Sequence, residues 1–112
     1  MNRVFKVSED REILASEWGD KDNPLVIMLH GGGQTRHSWK GVAAKIANLG
    51  FHVIAHDLRG HGESFWDHDG DYTFDAHRDD LVRIIQQLGK KASLVGASLG
   101  GMISLSLAGH EE

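Results

Sequence analysis

Cysteine is absent from the 112 residues, which excludes disulfides, thiolate nucleophiles and cysteine-based zinc sites. Proline occurs once, at Pro24, inside the polar stretch 19–24. Long apolar runs are missing as well. The longest, Leu25 to Leu29, is far short of a membrane span, and the charged opening MNRVFKVSEDREILASEW carries no signal-peptide core. A cytoplasmic location with no membrane partner is the expectation. Basic residues are not in excess: 12 Lys and Arg face 16 Asp and Glu, a net charge of -4, with both signs interspersed. Nucleic acid is therefore not an expected partner, because phosphate binding needs a concentrated basic face. What is present, 40% hydrophobic and 25% charged residues, suits one soluble globular domain.

The apolar pattern orders the elements. Val4 to Val7 and Ile13 to Trp18 are β-leaning segments around a polar turn, and predict an antiparallel hairpin. Leu25 to Leu29 is continuously apolar, as in a parallel strand buried on both faces. Trp39, Val42, Ala43 and Ile46 then follow helical spacing, with Ser38 placed to cap and Gly50 to stop the helix. Val53 to Ala55 is the next strand. Thr73 can cap a helix whose apolar face is Leu81, Ile84, Ile85 and Leu88, with Gly89 ending it. Ala92 to Val95 is a further short strand, and Ile103 and Leu107 suggest a helix starting directly after Ser98. Alternating strands and helices predict an α/β fold: a mostly parallel sheet with helices on both faces and the hairpin at one edge.

Chemistry concentrates in three places. Gly96-Ala97-Ser98-Leu99-Gly100 fits G-x-S-x-G between a strand and a helix, where a sharp turn exposes the hydroxyl of Ser98 as a nucleophile. The helix N-terminus behind it favours developing negative charge. His30-Gly31-Gly32-Gly33 follows the first apolar strand, and its glycines allow main-chain amides to turn towards an oxyanion. Gly32 is the expected donor, Gly33 the nearest competitor, and the amide of Leu99 the second donor. Neither a Walker A loop nor G-x-G-x-x-G fits this segment. Asp57-Leu58-Arg59-Gly60-His61-Gly62-Glu63-Ser64 suggests a structural turn in which Asp57 and Arg59 pair or bind nearby backbone. The acidic run Asp67 to Asp71 lacks the glutamate of an EF-hand and is expected to be a solvated turn, and Trp39 and Trp66 to be core or rim packing.

Together HGGGQTRHSW, DLRGHGES and LVGASLGG resemble the oxyanion loop, the D-x-R-G-x-G-x-S turn and the nucleophile elbow of the α/β-hydrolase family, in family order. The resemblance is nearest the esterase, haloperoxidase-like and C–C hydrolase branch. Serine at 98 argues against the dehalogenase and epoxide-hydrolase branches, which place aspartate there. It implies a serine hydrolase acting on a small-molecule ester or related acyl bond, without metal or organic cofactor, and a chain order of Ser, then Asp or Glu, then His. Beyond Ser98 only His110, Glu111 and Glu112 are candidates, and a helix carries His110 about 18 Å away at ~1.5 Å per residue. The chain is thus expected to be the N-terminal portion of the fold, a single incomplete domain ending before its acid and base, and inactive alone. A non-catalytic module binding a small molecule or a partner is the alternative. Further strands pair beside Ala92 to Val95 in the family, so an open apolar edge and self-association through it are also expected.

Overall fold

A computed structural model describes residues 1–110 of the chain. Strands β1 (Asn2–Ser8) and β2 (Arg11–Trp18) form the antiparallel hairpin, and β3 (Leu25–Leu29) follows the proline loop. A 3-10 turn (Arg36–Trp39) leads into α1 (Lys40–Asn48), then β4 (His52–His56), α2 (Phe74–Leu88), β5 (Ala92–Gly96) and α3 (Leu99–His110). The described strands make one sheet in the order β1-β2-β4-β3-β5. β3 pairs in parallel with β4 on one side and β5 on the other, while β2 joins β4 antiparallel.

Alternation along the strands divides the core into two layers. Leu25, Ile27 and Leu29 of β3 and Ile54 of β4 pack with Leu81 and Ile84 of α2 and Ile103 and Leu107 of α3. The intervening residues Val26, Met28, Val53 and Ala55 face Ala43 of α1, with Trp39 and Ile46 alongside. Helices therefore cover both faces. β4 lies to one side of β3 and β5 to the other, and the loop after β3 leaves towards the α1 face while the turn after β5 leaves towards the α3 face; the gap between them is the crevice where open α/β sheets bind ligands.

Helix boundaries follow local chemistry. Thr73 Oγ1 accepts the Ala76 amide at 3.1 Å, and Gly89 at φ 70° closes α2 in the left-handed region. The first helix departs from the pattern in two ways. It has no side-chain cap of its own, its N-cap position being Trp39; Thr35 instead caps the 3-10 turn before it by accepting the His37 amide, and Ser38 Oγ donates back to the Thr35 carbonyl at 2.9 Å. Val42, which shares the helical spacing, is 48% exposed, because Ala43 takes the central contact with the sheet. Nothing lies within 4 Å of a Cβ placed on Gly41 in the same helix. Gly41→Ala should therefore raise stability by about 0.5–1 kcal/mol in urea titrations, by removing unfolded-chain entropy without a clash.

β5 is the edge strand. Its outer edge is unpaired among the described residues, and Val95 is 38% exposed. Next to it an apolar groove runs between α2 and α3, lined by Ile85, Leu94, Leu105 and Leu107. No helix among the described residues is long and apolar enough to cross a membrane.

Candidate functional site

The turn from β5 into α3 is tightly packed. A Cβ on Gly96 would fall on the Gly100 carbonyl and 2.5 Å from the Gly101 nitrogen, and one on Gly100 would meet the Leu29 and His30 carbonyls. The Ala97 amide donates to the Leu29 carbonyl at 3.2 Å, which ties the turn to the end of β3. Confined on both flanks, Ser98 takes φ 54°, alone among the described non-glycine residues in having a positive φ. Such a conformation costs on the order of 1–3 kcal/mol and persists only where the surroundings enforce it. Ser98 is exposed at the mouth of the crevice, and no histidine or carboxylate among the described residues is hydrogen-bonded to its hydroxyl.

Opposite the serine, Gly31 to Gln34 form a turn closed by the Gln34 amide on the Gly31 carbonyl at 3.1 Å. Gly33, at φ 78°, occupies the third position, where a type II turn requires that region. The amides of the three glycines have different fates. That of Gly31 donates to Gln34 Oε1 at 3.0 Å, and that of Gly33 to His61 Nε2 at 3.1 Å. The Gly32 amide has no acceptor among the described residues, nor has the amide of Leu99 at the start of α3. A Cβ on Gly32 would lie 3.9 Å from the Leu99 side chain, so the two stand side by side. Of the two competing amides, that of Gly33 is therefore engaged and that of Gly32 is open.

The loop after β4 holds this turn in place. Asp57 is fully buried and accepts the Arg36 amide at 2.7 Å, the Glu63 amide at 3.0 Å and the Arg36 guanidinium. Arg36, 2% exposed, also donates to Ser16 Oγ at 3.0 Å and to Glu63 Oε1 at 2.9 Å. Burial alone would raise the Asp57 carboxyl, but these two amides and the guanidinium outweigh it and hold the value below the usual range. Of the two expectations for Asp57 and Arg59, both bind nearby backbone but they do not pair with each other: Arg59 forms a two-pronged bridge to Asp80 of α2, at 2.7 and 2.8 Å, and donates to the Asp71 carbonyl. The Asp57 oxygens are already taken by the Arg36 guanidinium and two amides, which leaves the Asp80 carboxylate to match the fork of Arg59.

The acidic run is not wholly solvated either. Asp67 is buried, bridges Arg11 at 2.7 Å and accepts the Asp71 amide at 2.7 Å, while Asp69 and Gly70 are exposed. No group of three or more His, Asp or Glu residues among the described ones is placed to hold a metal ion. Trp39 packs on the α1 side of the core, but Trp66 is 66% exposed.

Neither histidine near the elbow is free to act as its base. His30 Nε2 accepts the Leu58 amide at 3.0 Å, so its proton sits on Nδ1, 2.7 Å from the Gly31 carbonyl. Burial pushes His30 below the ordinary imidazole value, although the bond to Gly31 pulls the other way. His61 is used in the same fashion, with Nδ1 3.1 Å from the Arg59 carbonyl. His56 and His77 are buried behind the crevice, each with an Nδ1 that has no partner among the described residues. The side chain of His110, and Glu111 and Glu112 entirely, lie outside the described residues.

Residues 24–112 match the family model described as the alpha/beta hydrolase fold. The chain is 42% identical over 97 residues to the esterase Rv0045c of Mycobacterium tuberculosis, covering 86% of this chain and 31% of that protein. Against the bifunctional esterase/perhydrolase DCH of Acinetobacter calcoaceticus it is 34% identical over 91 residues, 80% of this chain and 33% of the relative. Among solved structures, a thioesterase domain from the curacin biosynthetic pathway superposes with a TM-score of 0.88 at 29% identity, over 96% of this chain and 38% of that one. The chain spans about a third of the length of the curated relatives it matches. By sequence, by strand order and by the turn that carries Ser98, the chain belongs to the α/β-hydrolase fold family.

Proposed function

We propose that the chain carries the nucleophile and oxyanion hole of a serine hydrolase that cleaves an ester or thioester. The observation that carries this reading is Ser98 itself, exposed in a left-handed conformation beside the two unclaimed amides of Gly32 and Leu99. Ser98 Oγ forms a bond to the carbonyl carbon while its proton passes to a base. The carbonyl oxygen takes up negative charge between the Gly32 and Leu99 amides, where a preorganised donor is worth about 3 kcal/mol. As the tetrahedral species collapses, the alcohol or thiol departs with that proton, and water later frees the acid from the serine. Esterase and thioesterase relatives support the acyl substrate class.

The base is assigned to polypeptide outside the described residues, since His30 and His61 have both ring nitrogens committed. Free imidazole can stand in for it. A fluorophosphonate probe should label the 112-residue chain slowly, about tenfold or more faster with imidazole added, and not at all in Ser98→Ala. A folded chain that stays unlabelled in both conditions, or a Ser98→Ala variant that labels equally, removes the assignment and leaves the non-catalytic binding module.

A further inference from the structure

The two histidines at the crevice are cross-tied. His30, at the end of β3, reaches across to the amide of Leu58 on the loop after β4. His61, on that loop, reaches back to the amide of Gly33 on the loop after β3. Their rings lie 5.0 Å apart, tilted by 56°. In each, Nε2 is the acceptor, and Nδ1–H is anchored on a carbonyl one or two residues away in sequence, that of Gly31 or of Arg59. Each loop thus supplies a ring to the other, and both rings must be neutral with the proton on Nδ1.

The His61 side of this tie has consequences for the site. Gly33 and Gly32 share one turn, so the direction of the Gly33 amide sets the neighbouring peptide planes. With that amide held on His61, the Gly32 amide is the one left open beside Leu99. His61 in turn stands on firm ground. A Cβ on Gly62 would lie 2.7 Å from Asp57 Oδ1, and one on Gly60 2.6 Å from the Tyr72 ring. Both glycines have positive φ, 74° at Gly60 and 51° at Gly62, so the backbone bearing His61 is clamped on either side.

We infer that His61 is a positioning residue for the oxyanion loop: its Nε2 claims the Gly33 amide and thereby orients the Gly32 amide towards the carbonyl attacked by Ser98. This rests on the serine-hydrolase reading for its catalytic meaning, but the tie can be read without catalysis. His61→Leu removes the acceptor at similar volume, whereas His61→Gln places Oε1 close to where Nε2 stood.

In the 15N-labelled chain, a trans-hydrogen-bond coupling between the Gly33 and His61 Nε2 nitrogens should be visible. The Gly33 and Gly32 amide resonances should both shift in His61→Leu. Imidazole-assisted fluorophosphonate labelling of Ser98 should slow by about tenfold in His61→Leu, since displacing a donor costs less than the roughly 10²–10³ of deleting one. It should return to within about threefold of the parent in His61→Gln. Thermal midpoints serve as the folding check, and a merely structural role would slow labelling only in step with lost folded protein. Absence of the coupling, an unmoved Gly32 amide, or parental labelling in folded His61→Leu would overturn the inference. If the parent chain itself never labels, the hydrolase reading has failed separately, and the coupling with the Gly32 shift still decides whether His61 holds the loop.

Discussion

Gly100→Ala should cost the fold about 3 kcal/mol or more, although the exchange adds a single methyl group. That methyl would press on the Leu29 carbonyl, 2.6 Å from its carbon, and lie 2.8 Å from the His30 carbonyl oxygen. These are backbone atoms at the end of β3, which is paired on both sides and cannot step back without breaking a ladder. Overpacking against mobile side chains costs typically about 1–3 kcal/mol, and a clash with fixed backbone belongs at or above the top of that range. A domain of this size has only about 5–15 kcal/mol to lose. Urea titration followed by circular dichroism measures the loss, with Gly41→Ala as the matched helical substitution in open space. Equal midpoints for the two variants would show that the elbow yields, contrary to the packing described. Gly101→Ala lies between them, since its Cβ would sit 3.3 Å from the Gly96 carbonyl oxygen.

Mild acid should destabilise the fold well before its carboxylates are protonated. In the unfolded chain each histidine takes up a proton near pH 6.5. In the folded chain burial holds His77 down to about 4 and His56 down to about 3, with neighbouring cations and histidines adding to the effect. His30 is lowered too, again chiefly by burial. Between pH 6.5 and 4 the unfolded state therefore binds more protons, and stability is lost as pH falls through that window. Each histidine held neutral across one pH unit contributes about 1.4 kcal/mol, so the total reaches several kcal/mol. Below pH 4 Asp57 and Glu17 extend the loss: burial would raise both, but their hydrogen-bonding partners lower them, and protonation forfeits those partners. Asp80, raised by burial against the pull of Arg59, works in the opposite direction there. Urea-derived stability should fall steeply from pH 7 to pH 5, and His56→Leu should flatten the slope. A stability constant over that range would mean that the buried histidines accept protons within the fold.

The sequence made some features plain and concealed others, and the difference follows the range of the interaction involved. The elbow was legible because its causes are local: Gly96, Ser98 and Gly100 lie within five residues, between an apolar strand and a helical pattern, the setting in which that spacing makes a sharp turn. The caps at Thr73 and Gly89 are local in the same way. Gly32 was expected to present its amide, but the bond that engages the Gly33 amide was not legible, because its acceptor, His61, lies 28 residues later. The same holds for Asp57, whose true partner Arg36 lies 21 residues upstream, and for Arg59, which finds Asp80 21 residues downstream. Within a helix the spacing of Val42 and Ala43 is equally compatible with burial, and only the small side chain allows α1 close enough to the sheet.

Among the described residues β5 meets the sheet along one side, through β3, and Ser98 stands just past its end. Strands β3 and β4 each have partners on both sides. Peeling β5 away severs one ladder, whereas displacing either central strand severs two. Openings of this kind are the cheap ones in a protein, and they expose amides to exchange long before the whole structure melts. The strained serine therefore follows one of the two strands of the described sheet that a single ladder holds, the other being β1. Reactivity at Ser98 is then expected to fade on heating while most of the secondary structure still stands.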